Sequence, residues 1–208
     1  MRETILYDKR PNGSVRCGVC QRRCIVSPGK RGLCNTRLND GGKLFTLVYG
    51  EVSSLAVDPI EKKPLYHFYP GTMVFSLGTL GCNFHCKHCQ NWQISFARPG
   101  ASSRETETLS PESAVEQAKL HGCKGIAWTY NEPGIWLEYT LDCARLAKAQ
   151  GLYTTFVTNG YQTPEALDLM GPYLDAYRVD IKGWSDSLYR ELAHVPSVTG
   201  ILEVTKRA

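Results

Sequence analysis

The chain has 208 residues, of which 42% are hydrophobic and 21% charged, with a formal net charge of +4. That is enough for one sizeable domain and a small appendage. The mild charge, with no basic stripe beyond Arg22-Arg23, gives no electrostatic footprint for nucleic acid. No run approaches the roughly 20 apolar residues that span a bilayer, and Met1-Arg2-Glu3-Thr4 lacks the apolar core of a signal peptide. The expectation is therefore a cytoplasmic protein with no membrane and no nucleic-acid partner.

Residues 1–72 are rich in Gly, Pro and Cys and show little helical period. They read as an irregular Cys-rich segment. One hairpin is predicted, with Lys43 to Tyr49 as an alternating run beside the Gly41-Gly42 turn. Asp58 to Gly71 reads as a charged structural hairpin, from which Glu61, Lys62, Lys63 and His67 could reach a site or a partner.

From residue 73 the pattern changes. Met73–Leu77, Gly125–Thr129, Tyr153–Val157 and Ala176–Ile181 are short, largely apolar runs with β-branched or aromatic residues, as buried parallel strands require. Helices are predicted between and after them. Ser110-Pro111-Glu112 and Thr163-Pro164-Glu165 combine an N-cap residue, Pro at the first helical position and an acid in the first turn. The first of these helices should stop at Gly122. Residues 134–150 and Ser185–Ala193 supply two more. Alternating strand and helix implies βαβ units, hence an α/β fold with a parallel sheet. Four units are counted, then a last helical stretch, Ile201–Ala208, has no stop signal. An unpaired edge after the fourth strand leads to the expectation that the core domain, residues 73–208, continues in a longer protein.

Nine cysteines in a chain expected to face a reducing compartment point to metal more than to disulfides. Cys123 and Cys143 are isolated and read as small core residues. Cys17, Cys20, Cys24 and Cys34 have the spacing C-x2-C-x3-C-x9-C. Either zinc in a closed four-thiolate site or an iron–sulfur cluster suits them. Such a small Gly-rich segment needs a metal core to fold.

Cys82, Cys86 and Cys89 follow the first core strand as C-x3-C-x2-C. Thiolates suit iron–sulfur clusters and zinc alike. A four-iron cluster normally takes four cysteines, so three leave one iron free for an exogenous chelating group. A structural zinc would need a fourth protein ligand, which His85 or His88 could supply.

This loop resembles the signature of radical S-adenosylmethionine enzymes, and in particular the branch that activates glycyl-radical proteins. Three further places match in order along the predicted sheet. Glu132-Pro133 resembles the end of the Gly-Gly-Glu-Pro motif, with Tyr130 and Asn131 in place of the glycines. Val157-Thr158-Asn159-Gly160 resembles Asp-Thr-Asn-Gly, with Val157 in place of the acid. Asp180-Ile181-Lys182 resembles Asp-x-Lys. A narrower resemblance, carried by Asp58 to Gly71 together with Cys82-Asn83-Phe84 and Cys89-Gln90-Asn91-Trp92, is to the AmmeMemoRadiSam-system radical enzymes.

The resemblance implies a (βα) radical-SAM barrel, with four of about six units present. It also implies a 4Fe-4S cluster on Cys82, Cys86 and Cys89, with S-adenosylmethionine as cosubstrate. Glu132 would meet the amino group of S-adenosylmethionine and Lys182 its carboxylate; Asp180 and Asn159 would belong to the same cofactor pocket. The implied activity is that of an oxidoreductase resembling pyruvate formate-lyase-activating enzymes. Reductive cleavage would give a 5′-deoxyadenosyl radical that takes hydrogen from a protein or small-molecule substrate, with an electron-donor protein as partner. The rival readings are a non-catalytic zinc or iron–sulfur scaffold and an electron carrier, neither of which needs Glu132 or Lys182.

Overall fold

The computed structural model describes residues 1–100 and 106–208. Its first 52 residues form two small antiparallel sheets and part of a third. β1 (Arg2–Glu3), β2 (Tyr7–Lys9), β3 (Val15–Cys17), β4 (Ile25–Val26), β5 (Arg37–Asp40) and β6 (Lys43–Thr46) assemble in the orders β1-β6-β5 and β2-β3-β4. The predicted hairpin is β5–β6, turned by Gly41 and Gly42 at φ 57° and 80°. Two consecutive positive φ values fit the tight turn that matches strand twist, and glycine adopts them without strain. β7 (Glu51–Val52) pairs with β10 (Glu107–Thr108).

The main sheet contains β8 (Ser54–Pro59), β9 (Met73–Gly78), β11 (Gly125–Trp128), β12 (Tyr153–Thr158) and β13 (Ala176–Val179), in the order β13-β12-β11-β9-β8. The last four in the chain are the predicted strands, and they pair in parallel. β8 was not anticipated. It lies antiparallel to β9 over its full length, from Ser54 opposite Gly78 to Pro59 opposite Met73. The sheet thus draws its edge strand from the N-terminal part of the chain. Pro59 is tolerated because it ends an edge strand, where no ladder donor is needed.

Strand alternation sorts the sheet into two faces. Phe75, Leu77, Ile126, Trp128 and Phe156 join Leu137, Leu141 and Ala144 in the main core. Val74, Ala127 and Tyr153 face the other way, toward Ile60. The predicted helices are present: α2 (Pro111–Leu120), α3 (Leu137–Ala149), α4 (Pro164–Met170), α5 (Asp186–Ala193) and α6 (Thr199–Arg207), after a single turn, α1 (Trp92–Ser95). The helix expected from residue 134 opens instead with a tight 3₁₀ turn, Pro133–Trp136, whose start is capped by the Glu132 carboxylate accepting from Gly134 N. No helix of the described residues is long and apolar enough to cross a membrane.

Candidate functional site

Each parallel strand ends at the same edge of the sheet, and the loop after each delivers a polar side chain there. The loop after β9 carries Cys82, Cys86 and Cys89. Thr129, Tyr130, Asn131 and Glu132 follow β11; Asn159 follows β12; Asp180 and Lys182 follow β13. All of them line one open cavity of about 290 Å³, which is where parallel α/β sheets place their ligands. A groove of about 380 Å³ near Leu167, Asp168 and Arg207 sits at the opposite end of β13 and holds no thiol.

The cysteine loop is anchored by its neighbours. Asn131 Nδ2 donates to the Gly81 carbonyl (2.7 Å), and Asn131 Oδ1 accepts from Thr79 N (3.1 Å). Asn91 Nδ2 donates to the Tyr130 carbonyl (2.6 Å). Tyr130 has φ +71°, an uncommon conformation for a bulky residue. Its ring lies over the end of β9, where a Cβ on Gly78 would come within 2.9 Å of it. Glycine at position 78 therefore makes room for the substitution of Tyr for glycine in the motif. The Tyr130 hydroxyl donates to Asp58 (3.2 Å), tying the site to β8.

Glu132 is buried, and its carboxylate accepts three hydrogen bonds: from Gly134 N (2.8 Å), Thr158 Oγ1 (2.7 Å) and Asn159 N (2.8 Å). Burial pushes its pKa up against these donors. It thereby clamps the end of β11 to that of β12. Asn159 Nδ2 donates to Asn83 Oδ1 (2.7 Å) and lies 4.0 Å from Cys82 Sγ. Lys182 Nζ reaches Asp180 (3.1 Å), which also pairs with Arg178. The Lys182 amide donates to the Tyr189 hydroxyl of α5 (2.9 Å).

Burial holds the Cys82 thiol well above its ordinary range, and the Glu132 carboxylate adds to the shift. Cys86 is raised by burial although Lys182 opposes it. Thiols in such surroundings give up their protons to a bound metal rather than to water. Neither His85 nor His88 lines the cavity; the His85 ring packs on Phe96 instead. The cavity thus brings together three thiols without a histidine, and its carboxylates are Glu132, which is engaged by Gly134, Thr158 and Asn159, and Asp180, which is paired with Lys182 and Arg178. Among the described residues, no three His, Cys, Asp or Glu side chains stand in the geometry of a single metal ion, so a metal bound at any of the cysteine sets has to draw its thiols together.

Cys17, Cys20, Cys24 and Cys34 line a separate, enclosed pocket with Asn83 at its boundary. All nine cysteines are free, and Cys123 and Cys143 are buried, as expected. Of the charged segment after β8, Lys62 and Lys63 reach the cavity lining. Asn83, Asn131 and Thr158 are site residues that motif reading did not single out, although each lies inside a motif: Asn83 in the cysteine loop, Asn131 beside Glu132 and Thr158 beside Asn159.

A profile of the Radical SAM superfamily matches residues 77–208. Along its full length the chain is 44% identical to the uncharacterized protein MJ0808 of Methanocaldococcus jannaschii, and it spans 61% of that relative's length. The structure of QueE from Escherichia coli shows a slight likeness, with TM-score 0.38 and 12% identity over 53% of this chain and 52% of that one. The profile covers all four strand-end loops, from the cysteines to Lys182, and on that match the chain belongs to the radical SAM superfamily, whose members use a 4Fe-4S cluster and S-adenosylmethionine.

Proposed function

We propose that Cys82, Cys86 and Cys89 hold the superfamily's cluster, and that Glu132, Asn159, Asp180 and Lys182 bind S-adenosylmethionine beside it. The carrying observation is the convergence of these seven residues, from four successive strand ends, on one cavity. When bound, the cluster supplies the electron that splits S-adenosylmethionine into methionine and a 5′-deoxyadenosyl radical.

The chain's own residues position and shield. Lys182 is the cation suited to the methionine carboxylate, and Asp180 holds it over the cavity until that carboxylate competes. Glu132 has each oxygen engaged, yet a carboxylate accepts about four bonds in all, so one site remains for the methionine ammonium. Asn159 offers an amide next to Cys82. The wide mouth, bordered by Lys62 and Lys63, suits a protein or peptide segment as well as a small molecule. Glycyl-radical activation, as in pyruvate formate-lyase-activating enzymes or the AmmeMemoRadiSam type, is the finer reading, with a reductant protein as electron donor.

The test is anaerobic reconstitution with iron and sulfide, then incubation with dithionite and S-adenosylmethionine. The expected result is 5′-deoxyadenosine from the parent and none from Cys86→Ala. A reconstituted parent with a full cluster and no 5′-deoxyadenosine would overturn the reading for this chain.

A further inference from the structure

The N-terminal cysteines are gathered by local structure. The Cys17 amide donates to the Cys24 carbonyl (2.9 Å) and closes the β3–β4 hairpin, with Cys20 at its tip turn; Cys34 arrives from the loop before β5. Their four side chains line one pocket whose other walls are mainly apolar. Three polar side chains also border it, Arg22, Arg37 and Asn83; Arg22 donates to the Asn83 and His194 carbonyls, and the other two are left unfinished.

Arg37 is 2% exposed. A guanidinium has five N–H groups. Four are used: Nη1 donates to Thr4 Oγ1 and Glu138 Oε1, and Nη2 to the Ile135 carbonyl and Glu138 Oε2. Nε has no partner. Asn83 is 1% exposed. Its Oδ1 accepts from Asn159, but its Nδ2 has no partner either. A buried donor without an acceptor costs about 1–3 kcal/mol, and native interiors rarely tolerate two around one pocket. Neutral thiols are weak acceptors. Metal-bound thiolates are anionic, and donors that point at them are a regular part of metal sites.

We propose that Cys17, Cys20, Cys24 and Cys34 ligate a thiophilic metal centre, a zinc ion or an iron–sulfur cluster, whose sulfurs accept hydrogen bonds from Arg37 Nε and Asn83 Nδ2. The assignment is independent of what Cys82 binds. The two thiol sets are nevertheless physically joined. Asn83 stands between them, and a Cβ on Gly81 would lie 2.6 Å from the Cys34 carbonyl and 2.5 Å from Thr36. The loop that carries Cys82 therefore rests on the wall of the N-terminal site.

The experiment uses a Cys82/Cys86/Cys89→Ala variant, in which only the N-terminal site can hold metal. Zinc, iron and acid-labile sulfide are counted per chain after purification from metal-replete medium and, separately, after anaerobic reconstitution. One zinc without sulfide, or iron with matching sulfide, supports the proposal and identifies the centre. No metal under either condition, with the four remaining clustered thiols freely titratable, overturns it. Asn83→Asp in the same background keeps the acceptor for Asn159 and removes the donor. Metal release to EDTA should then become 10–100-fold easier; unchanged release would overturn the donor role.

Discussion

At the scale of the residue, Asp58 shows how the rim of the site depends on charge. Its side chain is 5% exposed and meets Lys63, 3% exposed, and the exposed Lys62, each at 2.7 Å. Burial pushes the Asp58 carboxyl up, but hydrogen bonds from the two lysines outweigh it and hold it well below the usual carboxylate range. A folded-state pKa below the unfolded value of about 3.9 contributes stability above pH 4. That contribution is lost as pH falls through the folded value. Asp58→Asn should therefore be destabilised at neutral pH by about 3–5 kcal/mol, because Lys63 is left as an unpaired buried charge. It should also lose less further stability than the parent between pH 5 and 2. Urea midpoints at several pH values would show both effects, and parallel acid limbs for parent and variant would refute the argument. Nothing in the sequence around Asp58 distinguishes this buried pairing from a solvated charge run. Asp58, Lys62 and Lys63 read as a surface hairpin, since it is the Tyr130 ring, 72 residues from Asp58, and the strand pairing of β8 that bury Asp58 and Lys63, while Lys62 stays exposed. The placement of Cys82, Cys86 and Cys89 at one strand end, by contrast, was legible, because their spacing keeps them within a single loop.

At the scale of the element, the starts of the side-chain-capped helices were readable, because capping is local, whereas α3 and α6, which have no side-chain cap, start at Leu137 and Thr199 rather than at 134 and 201. Ser110, Thr163 and Ser185 each accept a backbone N–H three residues on. The 3₁₀ turn at Pro133–Trp136 was not readable, since its apolar residues also satisfy a helical period and only the Glu132 clamp selects the tighter form. Nor was β8, a six-residue run that contains Asp58 and Pro59 and pairs antiparallel with β9 across residues 60–72. The caps also differ in what else they do. Ser110 sits at the surface and bonds only within its own first turn. Thr163 is buried, and its hydroxyl also donates to the Gly18 carbonyl in the Cys-rich segment (2.6 Å). Ser110→Ala should cost about 1 kcal/mol, the usual value of a cap. Thr163→Ala should cost about 2–3 kcal/mol, since it also strands a buried carbonyl. Equal shifts in the urea midpoint for the two variants would mean that the bond to Gly18 contributes nothing.

At the scale of the whole molecule, the question is whether the Cys-rich segment is a separate unit. Its composition suggested one, with a boundary near residue 72. The contacts join it to the core instead. β8 completes the main sheet, Gln21 donates to the carbonyls of Gln162 and Gly200, and the Arg37–Glu138 pair, 101 residues apart, is buried on both sides. Charged partners so distant in the chain give no sequence signal, as each alone reads as a solvated surface residue. Breaking this pair leaves an uncompensated charge in the interior, at a cost of about 3–5 kcal/mol. If the two parts fold independently, Glu138→Ala should destabilise one transition and leave the other in place. If they form one cooperative unit, the whole unfolding curve shifts. The interdigitated contacts predict the second outcome: one transition, coincident by far-UV circular dichroism and by tryptophan fluorescence, displaced by several kcal/mol without a change in slope. The test is well placed, since Trp128 and Trp136 are both buried in the core and report on it, whereas circular dichroism sees the N-terminal strands as well. A second transition in the variant would restore the boundary near residue 72 as a real division of the fold.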